Sequence, residues 1–231
     1  MKTIGLLGGM SWESTALYYR WINELVREKL GGLHSAKIAM YSVDFQEIEE
    51  LQHSGEWDAT GKILSTAAKQ IENAGADFLL ICTNTMHKLA DQVADAINIP
   101  LLHIADATAA TILSAGSSKI GLLGTRFTME EDFYRGRLEK HHDLEVLIPG
   151  ADDRRLVHDV IYDELCLGTI REESRLAYTR IIDRLVSQGA QGVILGCTEI
   201  SLLVKPEHAT CPLFDTTRIH AIRAVDRALT D

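Results

Sequence analysis

Two short stretches of the chain carry residues able to move a proton. They are Ile81-Cys82-Thr83-Asn84-Thr85-Met86-His87 and Leu195-Gly196-Cys197-Thr198-Glu199. Each follows an apolar run that reads as a buried strand, Asp77-Phe78-Leu79-Leu80 and Gly192-Val193-Ile194-Leu195, and each opens into helical spacing. Small polar and sulfur side chains at the carboxyl end of a parallel strand sit where open α/β sheets bind ligands. A thiol has a reference pKa of ~8.5 and loses its proton more readily at a helix N-terminus, where Cys197 is expected to lie. Asn84, Thr85, Thr125 and Thr198 are candidate hydrogen-bond donors, with backbone N–H groups near Gly9 and Met10.

The elements that must position these groups alternate between strand and helix. Thr3 to Leu7 is a short apolar run stopped by Gly8-Gly9, as suits a buried parallel strand and tight turn. Ser11 is placed to cap a helix from Trp12, with Leu17, Trp21, Leu25 and Val26 inward. Lys37 to Val43 reads as a second strand, followed by a loop with a short helix. A helix is expected from Thr60 to Ala74, then another from about Met86 to Ala96. Ile99 to Ile104 reads as a fourth strand, with Asp106 capping a helix from Ala107 to Leu113. The glycines of Gly5-Leu6-Leu7-Gly8-Gly9 match neither the dinucleotide fingerprint nor the Walker pattern. What they offer is bare backbone N–H groups near a helix start, suited to a carboxylate.

The pattern then starts again. Lys119-Ile120-Gly121-Leu122-Leu123-Gly124 repeats Thr3-Ile4-Gly5-Leu6-Leu7-Gly8, and Thr128-Met129-Glu130-Glu131 after it has the form of a capping box. Glu145 to Ile148 fits a second strand. Helical segments follow at Asp153 to Leu165 and Glu172 to Gln188, then the strand before Cys197 and a last strand at Cys211 to Asp215. Three landmarks in the same order, half a chain apart, predict two similar α/β units. Each is expected to hold a mainly parallel four-stranded sheet flanked by helices, with the site in a cleft between the two. The units are expected at 1–98 plus 210–231 and at 99–209, the last helix, Ile219 to Leu229, returning to the first.

Composition bounds the rest. The 231 residues are 46% hydrophobic and 24% charged, the balance of an ordinary globular protein. A formal net charge of -10 argues against broad binding to nucleic acid or anionic membranes. The first nine residues are too short in apolar content for a signal peptide, and no run reaches the ~20 apolar residues that span a bilayer. A cytoplasmic location is the expectation. The four cysteines, Cys82, Cys166, Cys197 and Cys211, form no CxxC pair and read as free thiols. His87, His103 and His220 lie near expected strand ends but lack metal-ligand spacing, so no metal is expected.

Two matched strand ends meeting one ligand suit one reaction especially well: removing a proton from one face of a carbon and returning it to the other. That is racemisation or epimerisation. The obstacle is thermodynamic, because a carbon acid beside a carboxylate exceeds a thiol by ~10 pKa units, about 14 kcal/mol. Only a water-poor site with donors aimed at the developing charge offsets much of that. No lysine stands in a Schiff-base context and no phosphate cup is present, so no pyridoxal cofactor is expected.

Ile4-Gly5-Leu6-Leu7-Gly8-Gly9-Met10, Asn84-Thr85-Met86-His87 and Gly196-Cys197-Thr198-Glu199 together resemble the cofactor-independent aspartate/glutamate racemase family. Gly9-Met10-Ser11-Trp12-Glu13-Ser14-Thr15 is most similar to its enterobacterial broad-specificity branch, and the resemblance covers essentially the whole chain. It implies two α/β domains, an amino-acid substrate, no cofactor and a homodimer. It also implies Cys197 as one acid/base residue, with Asn84, Thr85, Thr125 and Thr198 holding the substrate's α-carboxylate and amine. Met10 and Gln52 are implied along the pocket.

The chain departs from the family pattern at two places. A cysteine directly precedes Asn-Thr in the family, whereas Thr83 stands there and Cys82 is shifted by one. On a strand that shift sends the side chain to the opposite face. Thr83 is therefore expected opposite Cys197, and Cys82 in the core unless the chain bulges. The pairing predicts an asymmetric racemase with Cys197 the competent base and one direction kinetically favoured. Gln52 and Cys166 stand near positions where members acting on acidic side chains carry basic residues. A neutral polar substrate such as homoserine thus joins aspartate and glutamate. Two other functions remain open: a cysteine-dependent decarboxylase or isomerase of the same superfamily, and an amino-acid sensor without turnover.

Overall fold

The structure is a computed structural model that describes residues 1–230. The chain divides into two compact units, Met1–Ile104 with the chain from His220 onward, and Ala105–Ile219.

In the first unit, β1 (Ile4–Gly8), β2 (Ile38–Ser42) and β3 (Phe78–Ile81) form a parallel sheet in the order β2-β1-β3. Helices α1 (Trp12–Leu30), α2 (Phe45–Ser54), α3 (Trp57–Asn73) and α4 (Ala90–Asp95) connect and flank it, with a 3-10 turn at Thr85–Leu89 before α4. The stretch expected to be only a loop with a short helix is the ten-residue α2, capped by Asp44, whose side chain accepts from the Gln46 N–H. The expected fourth strand shrinks to one parallel bridge, Leu79 with Leu101. Pro100 has no N–H to give a ladder, and α5 (Ile104–Ser114) already begins at Ile104. Asp106 therefore lies inside the first turn of α5 and not at the position before its start. Its carboxylate accepts from Arg137 Nε and Nη2, each at 2.7 Å, and lies 2.9 Å from His142 Nε2.

The second unit has four parallel strands, β4 (Lys119–Gly124), β5 (Glu145–Leu147), β6 (Val193–Gly196) and β7 (Leu213–Asp215), in the order β5-β4-β6-β7. Its helices are α5, α6 (Arg126–Glu130), α7 (Arg135–His142), α8 (Ala151–Asp163), α9 (Glu172–Ser187), α10 (Ile200–Leu203) and the start of α11 (Thr216–Leu229), with 3-10 turns at Leu165–Leu167 and Pro206–His208. The cap of α6 is Thr125 and not the capping box at Thr128. Both glycine-bearing strands are interior and take the same neighbours, so the repeat legible in the sequence is a repeat of sheet order. The units change over at residues 104 and 219 because Leu101 bridges β3 while Leu213–Asp215 pairs with β6.

Parity along the first sheet sorts its core. Leu7, Leu79 and Ile81 face one apolar cluster with Ile48, Leu64, Ala68 and Ile71. Ile4, Leu6, Phe78, Leu80 and Cys82 face the other, with Tyr18 and Ile22 of α1 and Ala221, Ala224 and Val225 of α11. The turn after β1 demands glycine. A Cβ at Gly8 would run into Thr15, and Gly9 has φ of 95°, with a Cβ there running into the Val43 carbonyl.

Beneath that second face lies His220, fully buried. Its Nε2 donates to the Leu102 carbonyl at 2.8 Å, so Nδ1 accepts from the Tyr18 hydroxyl at 2.8 Å. Burial is the chief cause that lowers its pKa from 6.5 to about 3. A lowered folded pKa means the unfolded chain binds the extra proton first. The contribution is complete above pH ~6.5 and is lost as pH falls toward 3, at up to ~1.4 kcal/mol per pH unit. Urea unfolding between pH 7 and 4 is expected to show this slope, and His220→Gln to flatten it by about one proton.

Candidate active site

In the first unit the register Leu7 with Ile81 brings the turn after β1 beside the turn after β3. Cys82 N–H donates to the Leu7 carbonyl at 2.9 Å, and Ser14 Oγ donates to the Cys82 carbonyl at 2.9 Å. Ser11 caps α1 as expected, its side chain accepting from the Ser14 N–H at 3.3 Å. The Gly9 N–H is not bare, however. It donates to Thr15 Oγ1 at 2.8 Å, so the carboxylate donor expected there is already used. Met10 and Gln52 are both buried, Met10 within the cluster that holds Ile48, and Gln52 one turn beyond Ile48 on α2.

At the end of β3 the alternation decides which side chain is available. Cys82 is fully buried among Leu80, Phe78 and Tyr18, and burial pushes its thiol far above the ordinary range. Thr83 follows as the chain leaves the sheet and is half-buried, while Asn84 and Thr85 are buried at the opening of the 3-10 turn. The Thr83 carbonyl accepts from His87 Nδ1 at 2.8 Å.

The second unit repeats the arrangement. Gly124 pairs with Gly196, so Thr125 and Cys197 leave adjacent strand ends. Thr125 Oγ1 accepts from the Thr128 N–H at 3.3 Å and lies 3.2 Å from the Thr128 hydroxyl. Thr198 is buried and shares a 2.8 Å hydroxyl contact with Thr217, which follows β7. Asp215 ends β7 and accepts from the Thr217 and Arg218 N–H groups at 3.0 and 3.1 Å.

Cys197 is where the electrostatic expectation fails. Its thiol is not lowered by a helix terminus but pushed well above the usual cysteine range, first by burial, then by the charges of Glu199 and Cys166. The reason is local. Helix α10 has four residues and starts at Ile200, too short and too late to act on Cys197. Cys197 Sγ instead donates to Glu199 Oε2 at 3.0 Å, and Glu199 is buried. Glu199 thus orients the thiol. The thiol is held neutral against a carboxylate. Among the described residues no three His, Cys, Asp or Glu side chains are grouped as a metal ion would need.

A family model described as Asp/Glu/hydantoin racemase matches residues 7–224. The chain belongs to the Asp/Glu/hydantoin racemase family. The broad-specificity amino-acid racemase RacX of Bacillus subtilis (strain 168) is 22% identical over 93% of this chain and 92% of its own. Two crystal structures match over the whole of both chains. One, from Yersinia pestis and described as a candidate Asp/Glu racemase, is 58% identical with a TM-score of 0.94. The other, an aspartate racemase homologue from Pyrococcus horikoshii OT3, is 36% identical with a TM-score of 0.87. In this racemase-family chain no helix among the described residues is long and apolar enough to cross a membrane.

The Glu199 contact generates a prediction. Glu199→Gln removes a charge that raises the Cys197 pKa while keeping the side-chain shape. Iodoacetamide labelling of the Cys197 peptide, followed by mass spectrometry against pH, is expected to shift to lower pH in the variant. An unchanged profile would show that the carboxylate does not govern the thiol.

Proposed function

We propose that this chain is a cofactor-independent amino-acid racemase in which Cys197 and Thr83 serve opposite faces of the substrate Cα. The observation that carries this reading is the repeat of sheet order. Thr83-Asn84-Thr85 follows β3 and Cys197-Thr198-Glu199 follows β6, the corresponding strands of their units. Membership of the racemase family supports the reaction class, and the burial of Cys82 supports Thr83 as the group at the first of these ends.

The chemistry follows from the protonation states. A thiol held high keeps its proton, and it can still give that proton to a carbanion, which is far more basic than a thiolate. It becomes a base only after losing its proton, and the substrate's ammonium group favours that loss by adding positive charge. Glu199, at hydrogen-bond distance, is the group to receive the proton. Asn84, Thr85, Thr125 and Thr198 supply donors for the α-carboxylate, where charge develops as the Cα–H bond breaks. Met10 and Gln52 bound the pocket. Gln52 and Cys166 bring no cation to an acidic side chain, so neutral polar amino acids such as homoserine belong in the substrate panel with aspartate and glutamate. The same reading carries a homodimer, which sedimentation of the purified protein tests.

Equal stability of the two enantiomers forces kcat/KM to be equal in both directions. Asymmetry between thiol and hydroxyl must therefore appear elsewhere: in kcat and KM taken separately, and in exchange before inversion. In deuterated water, deuterium is expected to enter the unreacted enantiomer whose Cα–H faces Cys197, because that proton leaves and returns on one face. The other enantiomer is expected to gain label only in its product. Cys197→Ala is expected to lose both exchange and inversion by ~10²–10⁴-fold, the usual worth of a general acid or base, while Cys82→Ala keeps them. Ligand-induced stabilisation of the wild type with no exchange on any amino acid would replace the enzyme by a sensor. Release of carbon dioxide would replace it by a decarboxylase.

A further inference from the structure

Three histidines meet in the first unit, close under the turn that carries Thr83, and the proposed reaction uses none of them. The His87 and His103 ring centroids are 4.5 Å apart, and those of His87 and His220 are 6.0 Å apart. All three are buried, His87 at 2% exposure. Their hydrogen bonds follow a definite pattern. His87 Nδ1 lies 2.8 Å from the Thr83 carbonyl, which can only accept, so Nδ1 carries the proton. His87 Nε2 lies 3.2 Å from the Ile104 N–H, which can only donate, so Nε2 is bare. The ring is therefore a neutral imidazole of fixed tautomer with both nitrogens engaged.

Its second partner is itself held. His220 Nε2–H binds the Leu102 carbonyl at 2.8 Å, two residues before the Ile104 N–H that His87 accepts. The backbone on both sides of His103 is thus pinned by imidazoles, and the Leu102 carbonyl fixes the His220 tautomer, leaving Nδ1 to accept from the Tyr18 hydroxyl at 2.8 Å. Leu102 is anchored to the sheet as well, its N–H donating to the Leu79 carbonyl at 2.9 Å. A ring fixed at one nitrogen by an anchored segment can fix, through the other, a carbonyl that no strand ladder holds. Thr83 stands beyond the last residue of β3, and its carbonyl direction sets the peptide plane from which Asn84 departs.

We propose that His87 is a positioning residue for the Thr83 end of the site: its Nδ1–H holds the Thr83 carbonyl and thereby aims the Thr83 hydroxyl and the Asn84–Thr85 donors. The inference rests on the racemase reading given above and deepens it. It assigns His87 no contact with the substrate and no proton of the reaction. Its effect is expected on the face that Thr83 serves, since the two backbone groups its nitrogens bind, the Thr83 carbonyl and the Ile104 N–H, both belong to the first unit.

That one-sided effect is what the experiment reads. The wild type, His87→Leu, His87→Asn and His87→Gln are compared in deuterated water with the enantiomer whose Cα–H faces Cys197. Wash-in of label without inversion needs only the Cys197 face, whereas inversion needs both. His87→Leu is expected to keep wash-in within about twofold of wild type and to lose inversion by about tenfold, the scale of one hydrogen bond. His87→Asn, whose amide N–H can stand in for Nδ1, is expected to recover most of the inversion. His87→Gln reaches toward Ile104 instead and is expected not to. Wash-in and inversion falling together in all three variants, or neither changing, would overturn the proposal. Should His87→Leu fail to fold, ¹⁵N shifts of labelled histidine in the wild type remain decisive. A pyrrole-type Nδ1 and pyridine-type Nε2 at His87 are expected, and the reverse tautomer would break the link to Thr83. A wild type with no exchange from either enantiomer would instead remove the racemase reading, and this inference with it; that result differs from a normal wild type with uniformly impaired variants.

Discussion

A side chain on a buried parallel strand has two directions open to it, and the first unit depends on that restriction. Along β3, Phe78 and Leu80 enter one apolar cluster and Leu79 and Ile81 the other. Cys82 continues the first series, so its sulfur belongs to the core by the same parity that buries Leu80. The next residue leaves the sheet as the strand ends, and it is a threonine. Moving a thiol by one position along this chain thus exchanges a group that can meet a ligand for one that cannot. No rotamer change recovers it, because Tyr18, Ile22 and the α11 alanines pack in the same cluster.

The second unit obeys the same rule with a different outcome. Gly196 closes β6, and Cys197 stands one residue beyond the strand, where Thr83 would be expected if the first unit were copied with its strand extended by Cys82. Half-burial there leaves the thiol reachable but poorly solvated. Desolvation and the Glu199 carboxylate act in one direction on it, both favouring the neutral form. A helix dipole would have acted the other way, but four residues of α10 cannot supply one. The carboxylate at 3.0 Å therefore replaces the helix terminus as the main partner of the sulfur.

These particulars mark what a sequence can and cannot carry. The repeat of two α/β units was legible because glycine-bearing strands recur at Ile4–Gly8 and Lys119–Gly124, and burial forces such strands inward. The position of Cys82 was legible because parity is arithmetic. The end of the first sheet was not. Ile99–Ile104 has strand composition, but Pro100 and an early helix start leave only Leu101 to pair. Thr125 displaced Thr128 as a cap for a similar reason, since a cap depends on where the strand releases the chain, and that is settled by packing. The Cys197 environment was illegible in sign: motif spacing predicts a helix nearby but not its length, nor which way the Glu199 side chain turns. His87 was visible as the last residue of the Asn84-Thr85-Met86-His87 motif and as a histidine without ligand spacing, with no role assigned. Its partners, the carbonyl of Thr83 and the N–H of Ile104, are backbone groups, and backbone partners leave no trace in residue types.

On the proposed reading, thiol and hydroxyl differ in more than basicity. Once bound substrate has drawn the proton from Cys197 to Glu199, a thiolate can persist while the ligand stays, whereas an alkoxide in a protein is neutralised at once by water or a neighbouring acid. The Cys197 face can therefore store a proton deficit and the Thr83 face cannot. Every proton crossing at Thr83 must be handed on within the same event, to solvent or to the substrate's own groups, and a concerted transfer tolerates little error in the angle of the hydroxyl. A reactive thiol can be approximately placed and still act. A threonine asked to pass a proton must be held, and the means of holding it lie in the backbone around it. That need gives a physical reason for anchoring the turn after β3 to an imidazole of fixed tautomer, while Cys197 requires only a carboxylate beside it.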